Sequence, residues 1–191
     1  LSKVKDEEKE ILYRLLQYSL FEESENDLNE MNQEAIYEYK HFDSYFIDND
    51  RYAFFIREKE TDKLLGFAMI NEYLQKFKEG HSIAEYLVIP KYRRNKIGKK
   101  VAFEIFDRFP GNWEVRPSYN SEKAYLFWKK TIEEYTNNNC KFEDGIFLFN
   151  NKYGIITPYF KEGIGSTFVK ELVKDQYNSE DKSEKIRLLV L

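Results

Sequence analysis

The chain has 191 residues, 42% hydrophobic and 34% charged, and its 30 lysines and arginines against 34 aspartates and glutamates leave a net charge of -4. That length suits one domain, with room for an appendage, and the acid excess argues against a nucleic-acid partner. No apolar run approaches the length of a membrane span and no leader pattern precedes the first element, so neither a membrane nor export is expected and the cytoplasm is the default. Cys140 is the single cysteine, which rules out an internal disulfide, and His41 and His81 belong to no cluster at metal-ligand spacing, so no metal is expected.

Residues 1–23 carry Ile11, Leu12, Leu15, Leu16, Leu20 and Phe21 at helical spacing, with Asp6, Glu7, Glu8 and Glu10 in the early turns where the helix dipole favours acids. Residues 24–33 read as loop. An aromatic-rich piece, residues 35–48, fits either a helix or a bent strand. Residues 51–57 and 64–73 are apolar, β-prone runs around a polar turn, which predicts a hairpin. Residues 82–91 predict a strand closed by Pro90, because proline removes a ladder donor. A basic turn with Lys91, Arg93, Arg94, Lys96, Lys99 and Lys100 follows, and the apolar spacing of Ile97, Val101, Ala102, Ile105 and Phe106 predicts a helix from Ile97. A strand feeding a basic turn at a helix N-terminus is a candidate anion site.

Residues 113–116 form a short alternating strand, and residues 121–135 predict a helix that Asn137, Asn138 and Asn139 break. A last hairpin is expected from residues 141–149 and 153–159, turning at Asn150 and Asn151. Residues 158–172 then echo the basic loop: Gly163, Ile164 and Gly165 match the spacing of Lys96, Ile97 and Gly98, and an apolar run closes the chain. The expected organisation is a domain over residues 1–158 and a C-terminal extension over residues 159–191. That extension either completes the sheet edge or mediates a homodimer.

Val88, Ile89, Pro90, Lys91 and Tyr92, followed by Arg93, Arg94, Asn95, Lys96, Ile97 and Gly98, resemble the acetyl-CoA signature of the GNAT superfamily of N-acyltransferases, with Lys96 where the family has its first glycine. Ala124 to Trp128 resemble a second family motif, Asn-x-x-Ala-x-x-Leu-Tyr, with Trp128 in the tyrosine place and Ser121, preceded by Asn120, in that of the asparagine. The resemblance, over residues 5–158, implies an α/β (α+β) fold with a central, mostly antiparallel mixed sheet flanked by helices. It also implies transfer of an acetyl group from acetyl-CoA to a primary amine of a small molecule or peptide. The strand edge at Leu87, Val88 and Ile89 would face the acyl carbonyl. Arg93, Arg94, Asn95, Lys96, Ile97, Gly98 and Lys99 would hold the diphosphate, with Asn120 and Trp128 as further cofactor contacts.

Glu85 is the carboxylate on the central strand, a candidate base or substrate anchor, and strand alternation places it with Ile83, Leu87 and Ile89 unless a bulge shifts the register. Indole is no proton donor for the leaving thiolate, so Tyr125, three residues before Trp128, is the nearest replacement. Asp43 and Tyr45 are candidate acceptor-site residues by the family's layout. The alternative is a GNAT-like module that binds CoA or a protein partner without catalysis.

Overall fold

The hairpin of β2 (Arg51–Arg57) and β3 (Leu64–Asn71) is buried almost throughout, as expected of strands covered on both faces. A computed structural model describes residues 1–26 and 29–151. By its contacts the chain divides into residues 1–156 and 157–191. The echo of the basic loop, the apolar C-terminal run and the proposed strand at residues 153–159 lie outside the described residues.

Beyond that hairpin the described elements are β1 (Ser2–Lys3), α1 (Lys9–Glu23), α2 (Ser44–Ile47), β4 (His81–Val88), α3 (Ile97–Arg108), β5 (Asn112–Val115), α4 (Glu122–Thr136), β6 (Lys141–Glu143) and β7 (Ile146–Asn150). The strands form one sheet in the order β1-β2-β3-β4-β5-β7-β6, antiparallel except for the β4–β5 pair. This is the mixed sheet of the expected α/β fold. The ambiguous aromatic segment is mostly irregular: Met31 and Tyr37 form an isolated bridge and only the four residues of α2 are helical. Gln17 of α1 fixes it, donating to the Tyr37 carbonyl at 3.0 Å and accepting from the Tyr37 amide at 2.8 Å.

The sheet carries a core on each face. On one, Leu12, Leu16 and Leu20 of α1 join Tyr37, Phe42 and Tyr45 over Phe55, Phe67, Met69 and Leu87. On the other, Val101, Ile105 and Phe106 of α3 and Trp128 and Ile132 of α4 cover Ile70, Ile83, Trp113 and Phe149. Each such large apolar side chain contributes about 1.5 to 3 kcal/mol on burial.

Residues 141–149, expected as one strand, form a hairpin of their own with Asn150. Its two strands are β6 and β7, both within residues 141–150, and its turn is Asp144-Gly145 at φ +51° and +78°. Left-handed conformations at both turn positions favour Asp-Gly there. Asn150 instead ends β7, opposite Asn112 of β5.

Candidate active site

Two strands that start together and then part make the site. Parallel pairing of β4 with β5 runs only through His81↔Trp113, Ser82↔Glu114 and Ile83↔Val115, whereas β4 continues to Val88. Residues 84–88 therefore have no strand partner on that edge among the described residues. A bulge lies at the point of departure: Glu85 opposes Met69 and Ile83 opposes Ile70, which leaves Ala84 as the extra residue. A bulge exchanges the faces of the residues beyond it. Ile83, Tyr86 and Val88 accordingly pack towards α3 and α4, while Ala84 and Leu87 pack towards α1.

Simple alternation would have grouped Glu85 with Ile83. The bulge corrects that: Glu85 shares the α1 face with Leu87, and there the Tyr39 hydroxyl is hydrogen-bonded to Glu85 and Tyr45. Burial, together with the nearby Glu85 charge, holds the Tyr39 phenol far above its ordinary pKa, so it stays a neutral donor. Asn71 Nδ2 donates to the Tyr45 hydroxyl at 3.4 Å, and the Arg51 guanidinium lies 5.4 Å from the Tyr45 ring.

The basic loop leaves β4 through a turn of 3-10 helix at Pro90–Tyr92. Arg94 and Lys96 are both left-handed, at φ +65° and +61°, and Lys96 is the N-cap of α3. Lys96 therefore adopts without a glycine the conformation that the family's missing glycine would ease, at a cost of about 1 kcal/mol. Among the described residues the amides of residues 94–99 donate no hydrogen bond; the first helical bond of α3 is Lys100 to the Lys96 carbonyl at 3.1 Å. Alternating handedness at a helix N-terminus turns such amides into an anion cradle. Lys99 is paired with Glu134 at 2.6 Å, while Arg94 and Lys96 are exposed and have no ion pair among the described residues.

Arg93 is differently placed from its neighbours. Its Nε donates to the Val88 carbonyl at 2.7 Å and its Nη2 pairs with Glu22 at 2.6 Å, so it braces the end of β4 against α1. Gly98 is favoured by packing rather than by φ: an added Cβ would lie 3.2 Å from the Phe127 ring of α4, which would have to shift by a few tenths of an ångström. Its carbonyl accepts from the Tyr86 hydroxyl at 2.6 Å.

α4 crosses the gap on the far side of the sheet. Trp128 is buried, edge-on to Tyr86 at 5.1 Å, and Tyr125 stacks on Phe147 at 5.7 Å and meets Phe142 at 5.1 Å. Ser121 caps α4, accepting from the Ala124 amide at 3.3 Å, and Asn120 makes the left-handed turn before it.

On the α1 face the parting strands open a cleft of about 300 Å³, lined by Ser82, Ile83 and Ala84 of β4, by residues 116–119 after β5, and by Glu23 and Gln75. Glu85 and Asn120, marked by sequence reasoning, are not among its lining residues, although they adjoin Ala84 and Tyr119, which are. Arg116, Ser118 and Tyr119 were missed, although their position between β5 and the second motif was a usable signal. Asp43 and Tyr45 do not line this cleft. Asp43 pairs with Lys9 at 2.8 Å and lines a separate hollow with Tyr13 and Tyr39, whereas Tyr45 is only 4% exposed. No group of metal-binding side chains occurs among the described residues, and no described helix is long and apolar enough to cross a membrane.

No curated protein is significantly similar to this chain. Solved structures with a likeness include an acetyltransferase from Vibrio fischeri (16% identity, 59% of this chain, 91% of that one, TM-score 0.41). Others are a KacTA-DNA complex (9%, 71% and 80%, 0.45) and an aminoglycoside 6'-N-acetyltransferase complexed with coenzyme A (16%, 68% and 82%, 0.46). The family model described as the Acetyltransferase (GNAT) family matches residues 17–129, from within α1 through both parted strands to Trp128 and Lys129 of α4, and the chain belongs to that family.

Proposed function

We propose that this chain transfers an acetyl group from acetyl-CoA directly to a primary amine of a small-molecule or peptide acceptor. The observation that carries this reading is the run of amides at residues 94–99, unpartnered among the described residues, beside a strand edge left open over residues 84–88. The residues fit the donor: the amides, Arg94 and Lys96 suit a diphosphate, and the edge at Leu87 and Val88 suits an extended amide-bearing arm and a polarised carbonyl, whereas the Ile89 amide is taken by the Leu65 carbonyl at 2.8 Å. Arg93 acts through the Val88 carbonyl as a positioning residue. Asn120 sets the turn into α4, and Trp128 shapes the floor beneath the open edge.

Acetyl-CoA supplies a thioester whose carbon–sulfur bond breaks as the acceptor nitrogen–carbon bond forms; an acceptor that arrives as ammonium loses two protons, one before attack and one in balance with the proton gained by sulfur. Glu85, held by Tyr39, takes the ammonium proton. For the proton to sulfur, Tyr119 ranks ahead of Tyr125, since Tyr119 lines the cleft and the Tyr125 ring is engaged by Phe142 and Phe147.

The buried Trp128 in the tyrosine place favours a second reading, a non-catalytic CoA-binding or protein-interaction module. Thiol release from acetyl-CoA across a panel of amines decides between them. Turnover supports the enzyme, and Glu85→Gln should then lower kcat by about 10²-fold with acetyl-CoA affinity unchanged. Tight acetyl-CoA binding with no turnover supports the module.

A further inference from the structure

The cleft carries a fixed positive charge that the transfer of an acetyl group does not itself require. Arg116 follows β5 and shares the sheet face of Glu114, two residues earlier. Its Nη2 donates to Gln75 Oε1 at 2.8 Å and its Nη1 to the Asp144 carbonyl at 3.2 Å. Both acceptors are uncharged. The neighbouring carboxylates are turned to lysines, Asp144 and Glu143 to Lys76 and Glu143 also to Lys141. Among the described residues Arg116 forms no ion pair, although the Asp144 carboxylate, turned to Lys76, lies near enough to feel its charge.

The brace is itself rigid. Glu114, 3% exposed, accepts from the amides of Gln75, Lys76 and Phe77 at 2.8, 2.7 and 2.8 Å and so fixes the loop that presents Gln75 to Arg116. A guanidinium with two of its five donors spent on neutral oxygens keeps three N–H donors for a carboxylate. Glu23 lines the same cleft, where it accepts from Ser118 at 2.7 Å. The cleft thus presents Arg116 in a volume of about 300 Å³, the small end of ligand sites.

Resting on the acetyl-transfer reading above, we propose that Arg116 determines specificity by holding the carboxylate of a small zwitterionic acceptor of the amino-acid class, with its ammonium towards the open edge of β4. Polycationic acceptors are disfavoured, because they would bring a second ammonium against Arg116.

The test compares each of a set of amino acids with the amine left when its carboxylate is replaced by hydrogen, lysine against cadaverine and leucine against isoamylamine among them. The best amino acid should exceed its matched amine in kcat/KM by on the order of 10- to 100-fold, mostly through KM. Arg116→Gln should bring that ratio close to one, Arg116→Lys should restore part of it, and acetyl-CoA affinity should hold in both. Equal use of both members of every pair, or an unchanged ratio in Arg116→Gln, overturns the assignment while leaving the acetyltransferase intact. Absence of turnover with every amine sinks the acetyl-transfer reading instead. Calorimetry with the same pairs in the presence of CoA then decides Arg116: carboxylate-dependent binding that Arg116→Gln abolishes supports its role, and binding indifferent to the carboxylate overturns it.

Discussion

Two runs of consecutive backbone amides, residues 75–77 and residues 94–99, meet opposite fates. The first is filled by a carboxylate of the protein's own, Glu114, reaching from β5. The second has six amides, two left-handed residues and no acid, and is left open among the described residues. The same device, amides converging on an anion, serves folding where the anion is built in and ligand binding where it must arrive. What distinguishes them is burial: Glu114 is nearly inaccessible, whereas Arg94 and Lys96 lie exposed.

The largest expected effect breaks the closed run. Glu114→Ala should cost about 3 kcal/mol in urea unfolding, because three amides, that of Phe77 buried and those of Gln75 and Lys76 partly so, lose a charged acceptor. A loss below about 1 kcal/mol would show that the loop is held by Phe77 packing on Ile146 and Leu148 instead. Reversing charge at the open run should do the opposite. Arg94→Glu with Lys96→Glu should weaken acetyl-CoA binding about 100-fold by calorimetry, with unfolding changed by about 0.5 kcal/mol or less, as for other exposed positions.

A finer test uses backbone strain. Lys96→Gly should stabilise the chain by about 1 kcal/mol, since glycine accepts φ +61° freely, and should leave acetyl-CoA binding in place if the amides do the holding. Loss of binding in that variant would transfer the role to the lysine charge.

The smallest effect concerns the paired end of β4. Burial among Tyr52, Phe109 and Trp113 lowers the pKa of His81 below its ordinary 6.5, against a smaller opposing pull from Glu72, whose carboxylate lies 3.7 Å away. The unfolded chain thus takes up this proton first as pH falls. Stability from this group is complete above about pH 6.5 and declines below it as pH falls through the folded value. His81→Phe should flatten that decline in melting curves at pH 5 to 7. An unchanged slope would assign it to carboxylates elsewhere.

Most of the frame was legible because it rests on local periodicity: α1, the β2–β3 hairpin, the basic loop and α3 follow from apolar spacing and charge. Residues 141–149 were read as one strand although Asp144-Gly145 is a strong turn signal that divides them into β6 and β7. Other features were not local at all. The bulge at Ala84 exists only in the pairing with Met69 and Ile70, and it decides which face Glu85 shares. Arg93 looked like one more cation of the loop until Val88 and Glu22 claimed its donors, and Glu114 gave no sequence sign of the three amides it would meet.

The last turn of α1 is tied to both sides of the parting strands, through Glu22 to Arg93 and through Glu23 to Ser118. A guest wedged between those strands therefore pulls on, or steadies, a helix end some way from the thioester. Hydrogen exchange at the amides of residues 20–24 should slow on addition of CoA and slow further with an acceptor, which makes this helix end a built-in gauge of how full the site is. Arg93→Ala should disconnect the first of those two readings and spare the second.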